Sequence, residues 1–313
     1  MRTLYGAAII CGCLFLSRIA FVGGDSPREQ HPSLPAPFST PRLIQRATPS
    51  PTASRRTIRI FSWNIDHGKQ LATIEAELAP EPGDVYLLQE VDWNAKRTGS
   101  TDVAIELARF LHLNMAYGIE FEELSQEGHG KPAYIGQATL TRLPIRTARV
   151  LRFQRQSGFW KPRRWIPSYL PLMQRRIGGR IALVTELEFQ GRLVVVYNVH
   201  LESRSAGAIQ MEQFDEILSD LQRYSPETDV IVGGDFNSKY FPSAFLKKME
   251  QRGFRSATGE RVERTHVIAM ALDWIFVRGP LRVNAGEVRR DFHGSDHYPV
   301  YAELSAEPRK QSK

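Results

Sequence analysis

Polar residues of the types that hold cations and move protons stand repeatedly at the ends of apolar runs in this sequence. Asn64 follows Ile60-Phe61-Ser62-Trp63, Glu90 follows Val85 to Gln89, and His200 follows Val194 to Val199. Asp235 and Asn237 follow Asp229 to Gly234, where the pair Gly233-Gly234 lets the backbone approach a neighbour closely. Asp273 opens Asp273-Trp274-Ile275-Phe276-Val277, and Ser295, Asp296 and His297 precede Tyr298-Pro299-Val300. Taken singly, a strand-end Asp or Asn is usually a turn former or a helix cap. Six such sites in one chain are hard to ascribe to turns, because strand ends in a layered α/β fold bring distant side chains to one cleft. A nucleophilic triad from Ser295-Asp296-His297 is set aside. Sequence neighbours do not make a nucleophile–base pair, and no strand-turn-helix elbow surrounds the serine.

The elements that must position these residues are legible as short apolar runs and helical spacings. Val85 to Leu88, Ile181 to Leu187, Leu193 to Asn198, Val230 to Gly233, Trp274 to Val277 and Val300 to Leu304 read as strands. Helical spacing links Leu71, Ile74 and Leu78, then Ala104, Leu107, Ala108 and Leu111, then Met211, Phe214, Leu218 and Leu221. Strands with intervening helices imply an α/β protein whose sheets are covered by helices. The pattern alone leaves open whether there is one sheet or two.

At 313 residues, 42% apolar and 24% charged, the chain has the composition of an ordinary globular protein. Residues 1–24 read as a signal peptide or an N-terminal membrane anchor: Arg2 precedes an apolar run, and Val22-Gly23-Gly24 offers a small-residue cleavage site. Cleavage before Cys13 and retention as an uncut anchor are the competing readings. Both cysteines, Cys11 and Cys13, lie in this segment, so the remainder can form no disulfide and no thiolate metal site. Residues 25–56 are rich in Pro, Ser, Thr and Arg and read as a semi-extended tether. Residues 57–306 form one domain, and 307–313 a polar tail. The expected location is outside the cytoplasm, periplasmic, extracellular or held at a membrane.

The formal charge of +7 suggests an anionic partner, and residues 152–180 concentrate the excess. Arg152, Arg155, Lys161, Arg163, Arg164, Arg175, Arg176 and Arg180 occur there without an acid, interleaved with Trp160, Trp165 and Tyr169. Such a mixture suits a phosphate backbone with stacked bases. It equally suits an anionic membrane surface, or a basic loop whose tryptophans pack under the domain. Arg163 and Arg164 are its candidate substrate-binding residues. No obligate protein partner is evident.

WNIDHG at 63–68, LLQEVD at 87–92, YNVHLES at 197–203, VGGDFNS at 232–238, LDWIFVRG at 272–279 and GSDHYPV at 294–300 resemble, in that order, the endonuclease/exonuclease/phosphatase superfamily. This superfamily includes DNase I-like nucleases, apurinic-site endonucleases, inositol-phosphate phosphatases and neutral sphingomyelinases. The resemblance covers residues 57 to about 305. TLTRLPI at 139–145 is similar to a further family segment, with Thr141 where serine is usual and Gln137 where asparagine is common. Both departures, with Arg142, are expected to bear on substrate contacts.

The resemblance implies a four-layer α/β sandwich, two packed sheets flanked by helices, with the site at one end. It implies that Glu90 and Asn64 hold a divalent ion, Mg²⁺ or Mn²⁺, through hard oxygen ligands, with Asp296 joining this shell or the next. Asp235 and Asn237 would orient the attacking water and a phosphate oxygen. His297, oriented by Asp273, would be general base or electrostatic stabiliser, and His200 would contact the phosphate and protonate the leaving oxygen. The implied reaction is hydrolysis of a phosphoester by water, by an exported phosphodiesterase or nuclease. A membrane-lipid phosphoesterase is the alternative. A phosphate-binding protein without activity is the third, weakened because every motif residue is present.

Overall fold

Strand β2, Thr57–His67, alternates Ile58 and Ile60 toward one apolar cluster with Phe61, Trp63 and Ile65 toward another, so this strand is covered on both faces. The computed structural model describes residues 36–45, 56–81, 83–161 and 176–306. Their strands form two mixed sheets. The first runs β1 (Arg42–Ile44), β4 (Asn114–Glu123), β5 (Tyr134–Thr141), β3 (Val85–Trp93), β2, β14 (Val300–Ala306) and β13 (Leu281–Val288), with β7 (Arg176–Gly178) added to β4. The second runs β11 (Arg255–Ser256), β12 (Asp273–Arg278), β10 (Asp229–Asp235), β9 (Arg192–His200), β8 (Ile181–Phe189) and β6 (Ile145–Arg152). At the centre of each sheet is a parallel pair, β2 with β3 and β9 with β10.

Three apolar clusters establish the layers. Between the sheets lie Ile58, Ile60, Val85, Leu87, Val194, Val196, Ile231, Ile275 and Val300. On the outer face of the first sheet, Trp63, Tyr86 and Leu88 pack with α1 (Leu71–Leu78) and α2 (Val103–Phe110). On the outer face of the second, Val195, Tyr197, Val230 and Val232 pack with α3 (Ala208–Asp220) and α4 (Pro242–Gln251). The result is the DNase I-like sandwich of two sheets flanked by helices. The expected strands and helices are all present. Strands β1, β4, β5, β6, β7, β11 and β13 were not among them; in β4 and β13 charged and polar residues interrupt the apolar alternation.

Polar links join the sheets at their site end. Gln89 Nε2 donates to Asn198 Oδ1 at 2.7 Å, and Asn198 Nδ2 donates to the Leu88 and Ala138 carbonyls. Gln137 Nε2 donates to the Ile181 carbonyl and its Oε1 accepts from Leu183 N; Thr141 Oγ1, at the other end of the first sheet, donates to the Asp84 carbonyl. The two departures from the family pattern therefore tie strands together, and both side chains are fully buried. Their expected bearing on substrate contacts does not hold. Gly234, at φ +150°, has no room for a side chain: a Cβ there would lie 1.9 Å from the Val199 carbonyl oxygen.

The tether expected at 25–56 needs correction. Residues 36–45 belong to the domain: β1 pairs with β4, Phe38 is buried in the first sheet's outer cluster, and Arg42 pairs with Asp102 at 2.7 Å. Proline-rich composition hid a three-residue edge strand too short to show alternation. The targeting segment at 1–24 and the tail at 307–313 lie outside the described residues. Phe38→Ala is expected to cost roughly 3–5 kcal/mol, as for a large buried side chain cut to alanine. A chain beginning at residue 57 should accordingly melt well below one beginning at residue 34. Equal melting temperatures by calorimetry would mean that β1 and Phe38 contribute nothing.

Candidate active site

The phase of each strand decides which polar side chains meet. Asn64 on β2, His200 on β9, Asp235 on β10 and Asp273 on β12 are in phase with the residues of their strands that face the opposite sheet, so they cap the inter-sheet core at one end. Glu90 is out of phase. It follows Leu88, which faces outward, and would point away in a regular strand. A register shift between Leu88 and Val91 and a left-handed φ of 51° at Glu90 turn it inward, the work of a β-bulge beside a site.

Asn64 Nδ2 lies between two carboxylates, 3.3 Å from Glu90 Oε1 and 3.2 Å from Asp235 Oδ2. Asp235 Oδ1 accepts from Asn237 N at 2.8 Å, leaving Oδ2 directed at the centre, 3.7 Å from His200 Nε2 and 4.0 Å from His297 Nε2. Asn237 donates its side-chain amide to the Leu201 carbonyl. Each imidazole is backed by a buried carboxylate. His297 Nδ1 lies 2.8 Å from Asp273 Oδ2, and His200 Nδ1 lies 3.4 Å from Glu120 Oε2. Thr265 Oγ1 donates to Asp273 Oδ2 at 2.7 Å and accepts from Asp273 N, which fixes that carboxylate. Glu120 is in turn paired with Arg180.

Burial opposes the charge on Glu90, but His67, His200, Arg176 and His297 outweigh it and hold the carboxyl well below its usual range. Burial likewise opposes the imidazolium of His297, yet the charge and hydrogen bond of Asp273, with Asp235 and Asp296 beyond, raise it to about 10. The pairing with Asp273 thus favours the protonated form of His297.

Asn64, Glu90, His200, Asp235, Asn237, Asp273 and His297 are brought together. Asp296 is not part of the Asn64–Glu90 group. Its half-exposed carboxylate faces His266 Nε2 at 3.4 Å, because residues flanking His297 alternate sides on the approach to β14. Arg142 lies toward the opposite end of β3, where its Nε donates to the Gly83 carbonyl, so it is no substrate ligand in this arrangement. Arg163 and Arg164 lie outside the described residues. Arg175 lies outside them too; among the described arginines of the stretch, Arg155 pairs with Glu212, Arg176 with Glu123, Arg180 with Glu120, and Arg152 with four backbone carbonyls. Their acids come from distant strands and helices, which the local charge count could not reveal.

Sequence reasoning missed Glu120, His67, Thr265 and His266. Glu120 is in the inward phase of β4 with Ala116, a signal that the unrecognised strand concealed. His67 faces both Glu90 Oε2 at 3.3 Å and Asp92 Oδ1 at 3.4 Å, and its ring sits within a motif already singled out. His266 packs edge-on against His297, with ring centres 4.6 Å apart.

Asp66, His67 and Glu90 offer ligand atoms close enough to share one ion, as do Asp235, Asp273 and His297, and His266, Asp296 and His297. The first of these groups lies beside Asn64. Two carboxylates converge there on the single neutral Asn64 amide, whose Nδ2 donates to both while its Oδ1 accepts from Asp66 N, and the Glu90 and Asp66 carboxylates supply hard oxygen donors beside His67.

Two packed sheets flanked by helices, with carboxylates and backed imidazoles at one end, place the chain in the DNase I-like fold class. The chain belongs to the endonuclease/exonuclease/phosphatase family, whose pattern it matches over residues 61–297. No curated protein sequence matches it. Among solved structures, it is similar to an endonuclease/exonuclease/phosphatase from Beutenbergia cavernae, with 18% identity, TM-score 0.58, and coverage of 80% of this chain and 72% of that one. The human Nocturnin catalytic domain with bound sulfate has 18% identity and TM-score 0.58, covering 85% of this chain and 98% of that one. A humanized D. rerio TDP2 has 17% identity and TM-score 0.55, covering 80% and 100%. At these identities the likeness concerns the fold.

The His297 ring should titrate near pH 10 by NMR in the wild type, and far lower in Asp273→Asn, where the neutral amide no longer stabilises the imidazolium. The linked stability is complete below the ordinary value of 6.5 and is lost as pH rises through about 10. Unchanged titration in the variant would show that Asp273 does not govern this histidine.

Proposed function

We propose that this chain is a divalent-metal-dependent phosphodiesterase that hydrolyses phosphoester bonds with water as nucleophile. The observation that carries the reading is the convergence on Asp235 Oδ2 of Asn64 and two imidazoles, each imidazole backed by its own carboxylate. Glu90 and Asn64 would hold the ion, Mg²⁺ or Mn²⁺, and Asp66 is near enough to assist. Bound there, the ion supplies charge to a phosphoryl oxygen.

The remaining chemistry belongs to the chain. Asp235 Oδ2 accepts a proton from the attacking water, while Asn237 N holds the other carboxylate oxygen and so fixes its direction. His297, protonated through its pairing with Asp273, donates to a phosphoryl oxygen and stabilises the charge it gains. His200 presents Nε2 to the site while Glu120 faces Nδ1, an arrangement suited to giving a proton to the leaving oxygen. Export follows from the N-terminal pattern alone, and recovery of the protein in the cytosolic fraction would contradict it.

Glu90→Gln should abolish magnesium-dependent turnover of bis-p-nitrophenyl phosphate while leaving the melting temperature near that of the wild type, since an amide replaces a ligand carboxylate. Near-normal turnover at limiting Mg²⁺ would remove Glu90 from the ion site. His200→Ala and His297→Ala should each lower kcat by about 10²-fold or more. Asp273→Asn combined with His297→Ala should be little worse than His297→Ala alone, because the two act as a unit. Additive losses would mean that the pair does not work together.

A further inference from the structure

The described surface carries few exposed large hydrophobic side chains, and most of them gather at the site. Phe241 is 80% exposed, Ile268 64%, Tyr240 60%, Val267 50% and Phe159 42%. Tyr240 and Phe241 follow the Asp235–Asn237 segment, and Phe241 is held outward by a left-handed φ of 57°. Val267 and Ile268 follow His266, whose ring lies against His297, and Val267 N donates to the Asp296 carbonyl.

These loops are joined. Ser238 Oγ donates to the Ala271 carbonyl and Phe236 N to the Leu272 carbonyl. On the other flank, Lys239 Nζ donates to the Ser203 carbonyl, and the neighbouring Arg204 guanidinium lies 4.2 Å from the Phe159 ring centre. The apolar tips therefore flank one side of the site, a rim with the exposed Arg204 beside Phe159 and the exposed Arg264 over the Tyr298 ring next to the His266 loop.

The geometry points to a membrane surface of anionic phospholipid as what this rim engages, so that the phosphoester site works on lipid headgroups at the bilayer. This inference rests on the phosphoesterase reading of the site and names its substrate class. Aromatic tips alone would also suit stacked bases. Val267 and Ile268 have no ring face to stack, whereas hydrocarbon at the headgroup boundary accepts aliphatic and aromatic side chains alike. Arg204 and Arg264 complement anionic headgroups. The rim lies outside the chemistry, since none of its apolar side chains offers a group to the ion or the reacting phosphate. It differs from the basic stretch, whose described arginines are largely engaged within the domain.

The test compares the full-length chain with Phe241→Ser/Ile268→Ser, and with Tyr240→Ser/Val267→Ser as a second, independent pair. Each is sedimented with vesicles of equal parts phosphatidylglycerol and phosphatidylcholine. The N-terminal apolar segment is present in all three, so differences report the rim. Loss of two inserted side chains should lower vesicle partitioning about tenfold or more, with melting temperature and bis-p-nitrophenyl phosphate turnover unchanged. Equal partitioning in all three proteins would overturn the inference. So would weaker retention of a single-stranded oligonucleotide by the variants without any change in vesicle binding, since the rim would then be a base-stacking surface. Failure of the wild type to hydrolyse the soluble diester is a separate result: it would sink the phosphoesterase reading, while vesicle partitioning is read without turnover.

Discussion

Four carboxylates, those of Glu90, Glu120, Asp235 and Asp273, are gathered at one end of the inter-sheet core, and their mutual repulsion must be balanced. Buried charges persist only when paired and hydrogen-bonded. Here Arg180 pairs with Glu120, His297 with Asp273, and His67 with Glu90. Asp235 keeps one oxygen on Asn237 N and the other among Asn64, His200 and His297. The same balance favours the ionised form of Glu90 and the protonated form of His297. Charge compensation is thus both what lets the sheets close over this end and what prepares the groups for chemistry.

The backbone supplies the placement. Parallel pairs at the centre of each sheet end together, so their terminal residues emerge side by side. Strand phase selects Asn64, His200, Asp235 and Asp273 without special devices. Glu90 alone requires one, the bulge that turns it toward Asn64. Ser295 then pins the last piece: its Oγ donates to the Asn64 carbonyl and accepts from His297 N, fixing the turn before β14 against β2. Trp63 Nε1 adds a bond to the His297 carbonyl at 2.8 Å.

Much of this was legible in the sequence because the information is local. Polar residues bordering apolar runs, before or after them, included all seven of the converging residues, and the pair Gly233-Gly234 flagged the close approach at Gly234. What was not legible is relational. Glu120 sits in a strand whose alternation is interrupted by Glu120, Glu122 and Glu123 themselves. Arg142 looked like a phosphate ligand by type, yet strand direction carries it to the other end of β3. Asp296 adjoins a site residue but faces the other way. Arg155, Arg176 and Arg180 of the basic stretch looked free because their acids lie tens of residues away. Phe38 needed no pattern at all to join the core, only a place where β1 could add to an open edge.

The central claim is that the converging carboxylates form a divalent-ion site at Asn64 and Glu90. Anomalous diffraction from crystals grown with Mn²⁺ tests it most directly. The account predicts a manganese peak within ligand distance, about 2.0–2.3 Å, of a Glu90 carboxylate oxygen and the Asn64 side chain. A peak held instead by His266, Asp296 and His297, or no peak at saturating Mn²⁺, would contradict it.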